Sequence, residues 1–385
     1  MLRALQRDHV AFLGPRRTGK TSILLDLVKH PPDGVIAVKL DLQGLRSVPA
    51  WLHLMLNETR RVLELPPERL GWLKTTGGNV ASILKRVEQI TVLGNGIKLS
   101  SGQPAVESWQ PVADQFLELL TEHQLPIYFL LDEFPWFLGH VASNHTAADV
   151  DAALNWFRKV RQELTDLPAR FLVTGSIGLK GLLRRLNLHP AANDFDTIEI
   201  EPLTETEALA FLQELADGEN IAVIEDVRRQ MLARIGVGWP ILLATFLAEV
   251  QDYGPDGGPS LEDIDRIYEN QLVRGSRNRY CEEMFSRLTR PELFSTSERR
   301  LAQEILRDLC RATAGFGRDE LAKIHARLVP DAAHRALLTS ELDVVIETLT
   351  HDGYLHRRKD SDPERDGRLE FASHILRDYW RHRTV

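Results

Sequence analysis

The sequence is short of the residues that build several common kinds of protein. It has only two cysteines, Cys281 and Cys310, with neither metal-ligand spacing nor the numbers for a disulfide framework. No stretch approaches the roughly 18 apolar residues of a membrane span; the longest local run of interest is Ile127–Leu131. The opening residues, Met1 to Arg7, lack the apolar region of a signal peptide. Excess positive charge is also missing: the net charge is −8, so the chain as a whole does not advertise nucleic-acid binding. Together these absences point to a cytoplasmic protein that does not engage a membrane.

What is present is an ordinary soluble balance, 43% hydrophobic and 26% charged, over 385 residues, enough for two or three domains with their own cores. The charge is uneven. Residues 266–385 carry 22 Lys+Arg against 20 Asp+Glu, a balance of +2 that leaves −10 on the first 265 residues.

One motif decides the class. Residues 9–13 (His-Val-Ala-Phe-Leu) form a short buried strand that runs into Gly14-Pro15-Arg16-Arg17-Thr18-Gly19-Lys20-Thr21-Ser22. An amphipathic helix follows, with Ile23, Leu24, Leu27 and Val28 expected on its apolar face. Strand, G-x-x-x-x-G-K-T and helix together make a P-loop in the context that confirms it. Its glycines let backbone N–H groups curl around phosphate oxygens, and the helix N-terminus adds partial positive charge. Lys20 is expected to reach the β- and γ-phosphates, and Thr21 to ligate Mg²⁺.

A second element ends at Asp132, 112 residues beyond Lys20. Ile127–Leu131 is an unbroken apolar strand ending in Asp132-Glu133. Buried parallel strands have this pattern, and ligands sit at their carboxyl ends. Asp132 is expected to hold Mg²⁺ through its water shell, and Glu133 to polarise the water that attacks the γ-phosphate. A third strand, Arg170–Val173, ends in Thr174-Gly175-Ser176. The hydroxyls of Thr174 and Ser176 are placed there either to sense the γ-phosphate or to form a plain turn with a helix N-cap at Ser176. Val35–Leu40 ends at a structural Asp41, and Thr197–Glu201 completes the sheet.

The long spacing places an insertion at about 60–110, in which 91–99 has the pattern of a β-hairpin turning at Asn95-Gly96. Trp51, Trp72 and Trp109 flank it as packing residues. After Pro202 the pattern is helical. Thr204-Glu205-Thr206-Glu207 opens one helix, a second spans about Ile224–Ile235, and a third begins after Gly238-Trp239-Pro240. The end of the chain has the layout of a winged helix: helices at about Arg299–Ala314, Asp319–Leu328 and Leu338–His351, then a hairpin through Tyr354–Arg358 and Arg368–Phe371. The domains expected are therefore a P-loop NTPase domain (1–201), a helical lid (202–265) and a winged-helix-like domain (266–385).

This set resembles the STAND class of signal-transduction NTPases, close to the archaeal-type "ATPase 2" group. The residues that carry the likeness are Gly14–Ser22, Leu130–Pro135 (LLDEFP), Leu172–Ser176 (LVTGS), Glu201–Ala208 (EPLTETEA), Gly238–Pro240 and the closing Phe371–Trp380 (FASHILRDYW). The resemblance implies an α/β parallel sheet flanked by helices, a lid and a winged helix, and an ATP/ADP switch with Mg²⁺. It also implies that Pro240 packs near the adenine. A regulatory ATPase would act on a protein partner or a homo-oligomer. A DNA-handling ATPase, of the initiator or transposition-helper type, is the alternative. Against it stand Glu341, Asp343 and Glu347 in the expected recognition helix, with no Lys or Arg over Leu338–His351; Arg357, Arg358 and Lys359 in the wing remain available to phosphate. Arg184 and Arg185 are candidates for an arginine finger. A scaffold with a degenerate site is excluded by the joint presence of Lys20, Thr21, Asp132 and Glu133.

Overall fold

The computed structural model describes residues 1–63, 109–123, 126–165, 169–175, 196–255, 257–275, 278–289, 294–312, 314–329, 339–358 and 366–384, with isolated positions between them. The 91–99 hairpin, Trp72, Ser176, Arg184, Arg185 and Lys359 lie outside the described residues. The chain divides into two units, one of Met1–Leu13 with Lys20–Glu199, the other of Gly14–Gly19 with Ile200–Val385.

The first unit is built on a five-stranded parallel sheet. Its strands are β1 (Val10–Leu13), β2 (Ile36–Asp41), β3 (Ile127–Asp132), β4 (Arg170–Gly175) and β5 (Asp196–Glu199), in the order β2-β3-β4-β1-β5. β1, β3 and β4 are buried at every position, as strands covered on both faces must be. The helices α1 (Leu2–Leu5), α2 (Lys20–Lys29), α3 (Val48–Leu63), α4 (Gln110–His123), α5 (Phe134–Asn144) and α6 (Ala147–Glu163) supply the cover. Trp51, fully buried, centres an aromatic cluster, with ring centroids 5.4–5.7 Å from Phe137, Phe157, Trp156 and Phe134. Trp109 meets Trp156 edge-on at 6.2 Å. Both described tryptophans that flank the insertion are thus core residues, where large rings contribute most per side chain.

Two strand ends are tied by unusual polar contacts. Arg170 opens β4 buried, and its guanidinium donates to the carbonyls of Leu164, Thr165 and Ala169, the first two of which directly follow α6, where a cation is favoured. His9, just before β1, accepts the Phe171 N–H at Nδ1 at 3.0 Å. Burial and the nearby Arg170 push its pKa down to about 4.

The apolar face expected for α2 needs a correction. Leu24 and Leu27 are buried with Lys20, but Ile23 and Val28 are each 37% exposed. The buried stripe runs through positions i, i+4 and i+7. At about 100° per residue, Ile23 and Val28 fall on either side of it.

The second unit begins with α7 (Glu205–Gly218), α8 (Glu225–Ile235) and α9 (Pro240–Tyr253). The capping box at Thr204 forms as its sequence dictates, with Glu207 N–H on the Thr204 hydroxyl and Thr204 N–H on the Glu207 carboxylate. Pro240 is the first residue of its helix, where its missing N–H costs nothing. Leu203 N–H donates to Gly238 O at 3.0 Å, tying the Gly-Trp-Pro segment to the chain before α7. Next come α10 (Leu261–Ile267), a π-helical segment (Tyr268–Val273) and α11 (Arg279–Arg287). None of these three was evident from the sequence pattern.

α12 (Thr296–Leu309), α13 (Arg318–Leu328) and α14 (Thr339–His351) lead into an antiparallel hairpin, β6 (Leu355–Arg357) with β7 (Leu369–Phe371), extended by a bridge from Phe316 to Leu369. This is the winged-helix arrangement. The closing helix α15 (His374–Thr384) anchors the unit's core. Trp380 lies 4.7 Å from Phe285 and 6.0 Å from Tyr354, and Asp378 accepts the hydroxyl of buried Tyr268 at 2.9 Å. Arg287 and Asp352, both with fully buried side chains, pair at 3.1 Å. Among the described residues, no helix is long and apolar enough to cross a membrane.

Candidate functional site

The sheet brings the chemistry together. β1, β3 and β4 run parallel, so Leu13, Asp132 and Gly175 finish at the same edge, the carboxyl edge where ligands bind in open α/β sheets. β4 lies between β1 and β3. Whatever stands at its tip is therefore flanked by the strand that enters the P-loop on one side and by Asp132 on the other.

Thr174 stands there, fully buried, and its hydroxyl donates to Asp132 Oδ1 at 2.6 Å. Thr21, in the first turn of α2, donates to Asp132 Oδ2 at 3.0 Å. Lys20, one residue earlier, is 6% exposed. Asp132 itself is 5% exposed, and a carboxylate in such a place is stable only when its oxygens are engaged. Three of the residues singled out from the sequence, Thr21, Asp132 and Thr174, thus form one hydrogen-bonded set.

Glu133 follows Asp132 in the left-handed region, φ 59° and ψ 38°, at the N-cap of α5. A glutamate there is uncommon and strained by about 1–3 kcal/mol. The next residue but one, Pro135, explains part of the local geometry. A Cβ on Gly175 would stand 2.4 Å from Pro135 Cδ, so the tip of β4 takes glycine because α5 begins against it.

Sequence inspection missed Lys39. Its Nζ lies 3.1 Å from Asp132 Oδ2, the oxygen that also receives Thr21. A signal was available: a lysine inside the apolar run Val35–Leu40 requires a partner for its charge.

In the second unit, the loop Gly14–Gly19 has two residues in the left-handed region, Arg17 at φ 59° and Gly19 at φ 93°. Glycine adopts that conformation without strain, which opens the loop's backbone. Thr18 closes a short turn, its hydroxyl donating to Pro15 O at 2.8 Å. Arg16 and Arg17 both pair with Glu283 of α11, at 2.5 and 2.7 Å. Burial opposes ionisation of Glu283, but the two guanidinium groups outweigh it and hold the carboxyl below its ordinary range. Ser22 begins the second residue pair of α2 and is exposed, and Pro240 is half-buried.

The donor set suits a small hard cation. No cluster of three or more His, Cys, Asp or Glu capable of holding a metal occurs among the described residues. One hydroxyl and one carboxylate, side by side, are the kind of protein contribution Mg²⁺ takes when phosphate oxygens and water complete its octahedron.

The expected acidity of α14 is partly cancelled. Glu341 is buried, its carboxylate 3.2 Å from His325 Nε2, and Asp343 pairs with Arg318 at 2.8 Å. Both partners come from α13; Arg318 offsets the charge of Asp343, and Glu341 is withdrawn from the helix surface.

No protein-family model matches the chain, and no curated protein matches it. Solved structures do. Over 99% of its length the chain is similar to the Walker-type ATPase PABY2304 of Pyrococcus abyssi, with 16% identity, a TM-score of 0.56 and 93% of that chain covered. Over 99% it is also similar to the ORC2 protein of Aeropyrum pernix, solved in ADPNP–ADP complexes, with 14% identity, a TM-score of 0.51 and 88% of that chain covered. At such identities the likeness establishes the fold. This chain has an α/β P-loop NTPase domain followed by helical and winged-helix parts.

Proposed function

We propose that the chain is a Mg²⁺-dependent ATPase of the STAND type, near the archaeal "ATPase 2" group, whose ATP or ADP state controls a protein partner or an assembly of its own copies. The observation that carries this reading is the convergence of Thr21 and Thr174 on Asp132 at the carboxyl edge of the sheet, directly after a P-loop sequence. The roles follow from chemistry. The backbone of Gly14–Thr18 and Gly19 would cradle the phosphates with Ser22 at the helix start, and Lys20 would neutralise the β- and γ-phosphate oxygens. Thr21 and Asp132 would hold Mg²⁺, which supplies charge neutralisation on the phosphates. Thr174 keeps Asp132 oriented. Glu133, one residue beyond, would accept the proton of an attacking water. Ser176 and Pro240 complete the proposal as a further hydroxyl near the γ-phosphate and an adenine contact.

Calorimetric titration of the full chain with ATP tests the reading. Wild type binds and Lys20→Ala does not; equal affinity for the two proteins removes the P-loop assignment.

A DNA-handling role is the second reading, and one observation favours it: the burial of Glu341 and the pairing of Asp343 with Arg318 remove part of the Coulomb objection to α14 near phosphates. The exposed Arg357 of β6 is available beside it. A salt-sensitive shift of duplex DNA by the full chain, weakened in Arg357→Ala, would put this reading first. No shift at near-physiological salt leaves the protein-directed reading in place.

A further inference from the structure

Lys39 is a cation in a place that sequence pattern alone would fill with an apolar residue. It stands in β2 between Val38 and Leu40, which are 2% and 1% exposed, and its own side chain is 18% exposed. A lysine persists in such a strand when its stem packs and its ammonium finds a partner. The register sets Lys39 opposite Leu130 and Asp41 opposite Asp132. From there the Lys39 ammonium meets Asp132 Oδ2 at 3.1 Å.

That oxygen is shared. Thr21 donates to it at 3.0 Å, so the ammonium and the Thr21 hydroxyl are no more than about 6 Å apart. A divalent cation ligated by Thr21 would come within a few ångströms of a positive charge fixed on the neighbouring strand. Asp132 is 5% exposed, and mobile salt screens such a pair weakly. The same ammonium neutralises the carboxylate that would attract the metal. Repulsion of the incoming cation and loss of attraction act in the same direction.

We infer that Lys39 is a built-in competitor of the divalent cation, a positioning residue that keeps Asp132 in place and lowers the preference of the site for metal-bound over metal-free nucleotide. This rests on the nucleotide-binding reading above. With Lys39 present, Asp132 does not draw in metal ahead of nucleotide, and the phosphates must supply most of the attraction. The nucleotide-free site then stays assembled through an internal ion pair instead of a bound ion.

The test compares ADP affinity in excess EDTA with ADP affinity in Mg²⁺, by calorimetry on the full chain. Lys39→Met keeps the apolar stem and removes the charge; Lys39→Arg keeps the charge. The expected result for Lys39→Met is unchanged affinity in EDTA and a roughly tenfold tighter complex in Mg²⁺, equivalent to ~1.4 kcal/mol. Lys39→Arg should match wild type in both. Binding of Mn²⁺ without nucleotide, read by electron paramagnetic resonance, should strengthen in the Met variant in parallel. Because the EDTA and Mg²⁺ affinities are compared within one protein, partial loss of folded material does not alter their ratio, and Lys39→Gln replaces the Met variant if that one fails to fold. An unchanged ratio overturns the inference. So does a loss of affinity in EDTA, which would make Lys39 a phosphate ligand. If wild type binds ADP in neither buffer, the nucleotide reading itself falls.

Discussion

Thr174 donates its hydroxyl to Asp132 Oδ1 at 2.6 Å, and the two meet because β4 pairs in parallel with β3, Leu131 opposite Val173. The bond joins the tips of two strands that are 42 residues apart in the chain. Thr174→Val keeps the shape and removes the donor, leaving a buried carboxylate oxygen short of one partner. The expected loss of stability is about 1–3 kcal/mol, with Thr174→Ser close to wild type. Equal melting temperatures for the valine variant and wild type would show that the bond contributes nothing.

Glu133 is the group proposed to take a proton from water. Glu133→Gln should bind ATP as wild type does and hydrolyse it about 10²–10⁴-fold more slowly, the usual contribution of a positioned base. Phosphate release measured at saturating ATP decides the matter, and an undiminished rate would assign the base elsewhere.

Glu283 occupies both P-loop arginines, Arg16 and Arg17. Removing its carboxylate takes a counter-charge from both arginines of the loop proposed to hold phosphate. Glu283→Gln is therefore expected to tighten ADP binding by about 3–10-fold, the scale of added charge-assisted contacts. Weaker binding would instead mean that Glu283 holds the loop in its binding shape.

His9 sets an acid limit on the first unit. Burial first, and then Arg170, lower its pKa from 6.5 to about 4. Between those values the unfolded chain takes up a proton that the folded chain does not, so stability is lost as pH falls from about 6.5 towards 4. The full shift corresponds to about 3 kcal/mol. His9→Asn retains an acceptor for the Phe171 N–H and cannot titrate. Its melting temperature should fall less between pH 7 and pH 5 than that of wild type, and parallel falls would exclude His9 as the cause.

Arg287 and Asp352 form an ion pair with no exposed side-chain surface. Asp352→Ala leaves a buried guanidinium without its counter-charge, at a cost of about 3–5 kcal/mol. Pairing it with Arg287→Met should recover much of that loss, because the stranded charge is gone. Urea unfolding of the two variants measures the difference. A double variant as unstable as the single one would show that the arginine stem, and not the charge pair, matters.

The parts of this protein that its sequence determined are local. The P-loop, the apolar strand ending at Asp132, the capping box at Thr204 and the proline start of α9 all follow from bonds or periodicities that span a few residues, so a short window contains their cause. The α12–α14 helices and the hairpin behind them were legible for the same reason. What the tertiary structure decided is which distant residues meet. The order β2-β3-β4-β1-β5 is invisible in the strands taken singly, because the apolar runs of β1, β3 and β4 are the same kind of pattern whichever neighbour each pairs with. That order sets Thr174 beside Asp132 and brings Lys39 to the same carboxylate. Equally, only packing could tell that α13 pairs with two carboxylates of α14, that Glu283 holds Arg16 and Arg17, or that Ile23 and Val28 flank a buried stripe. Charge pairs across elements depend on the three-dimensional neighbours of each side chain, and the energy that selects them is shared by the whole packed unit.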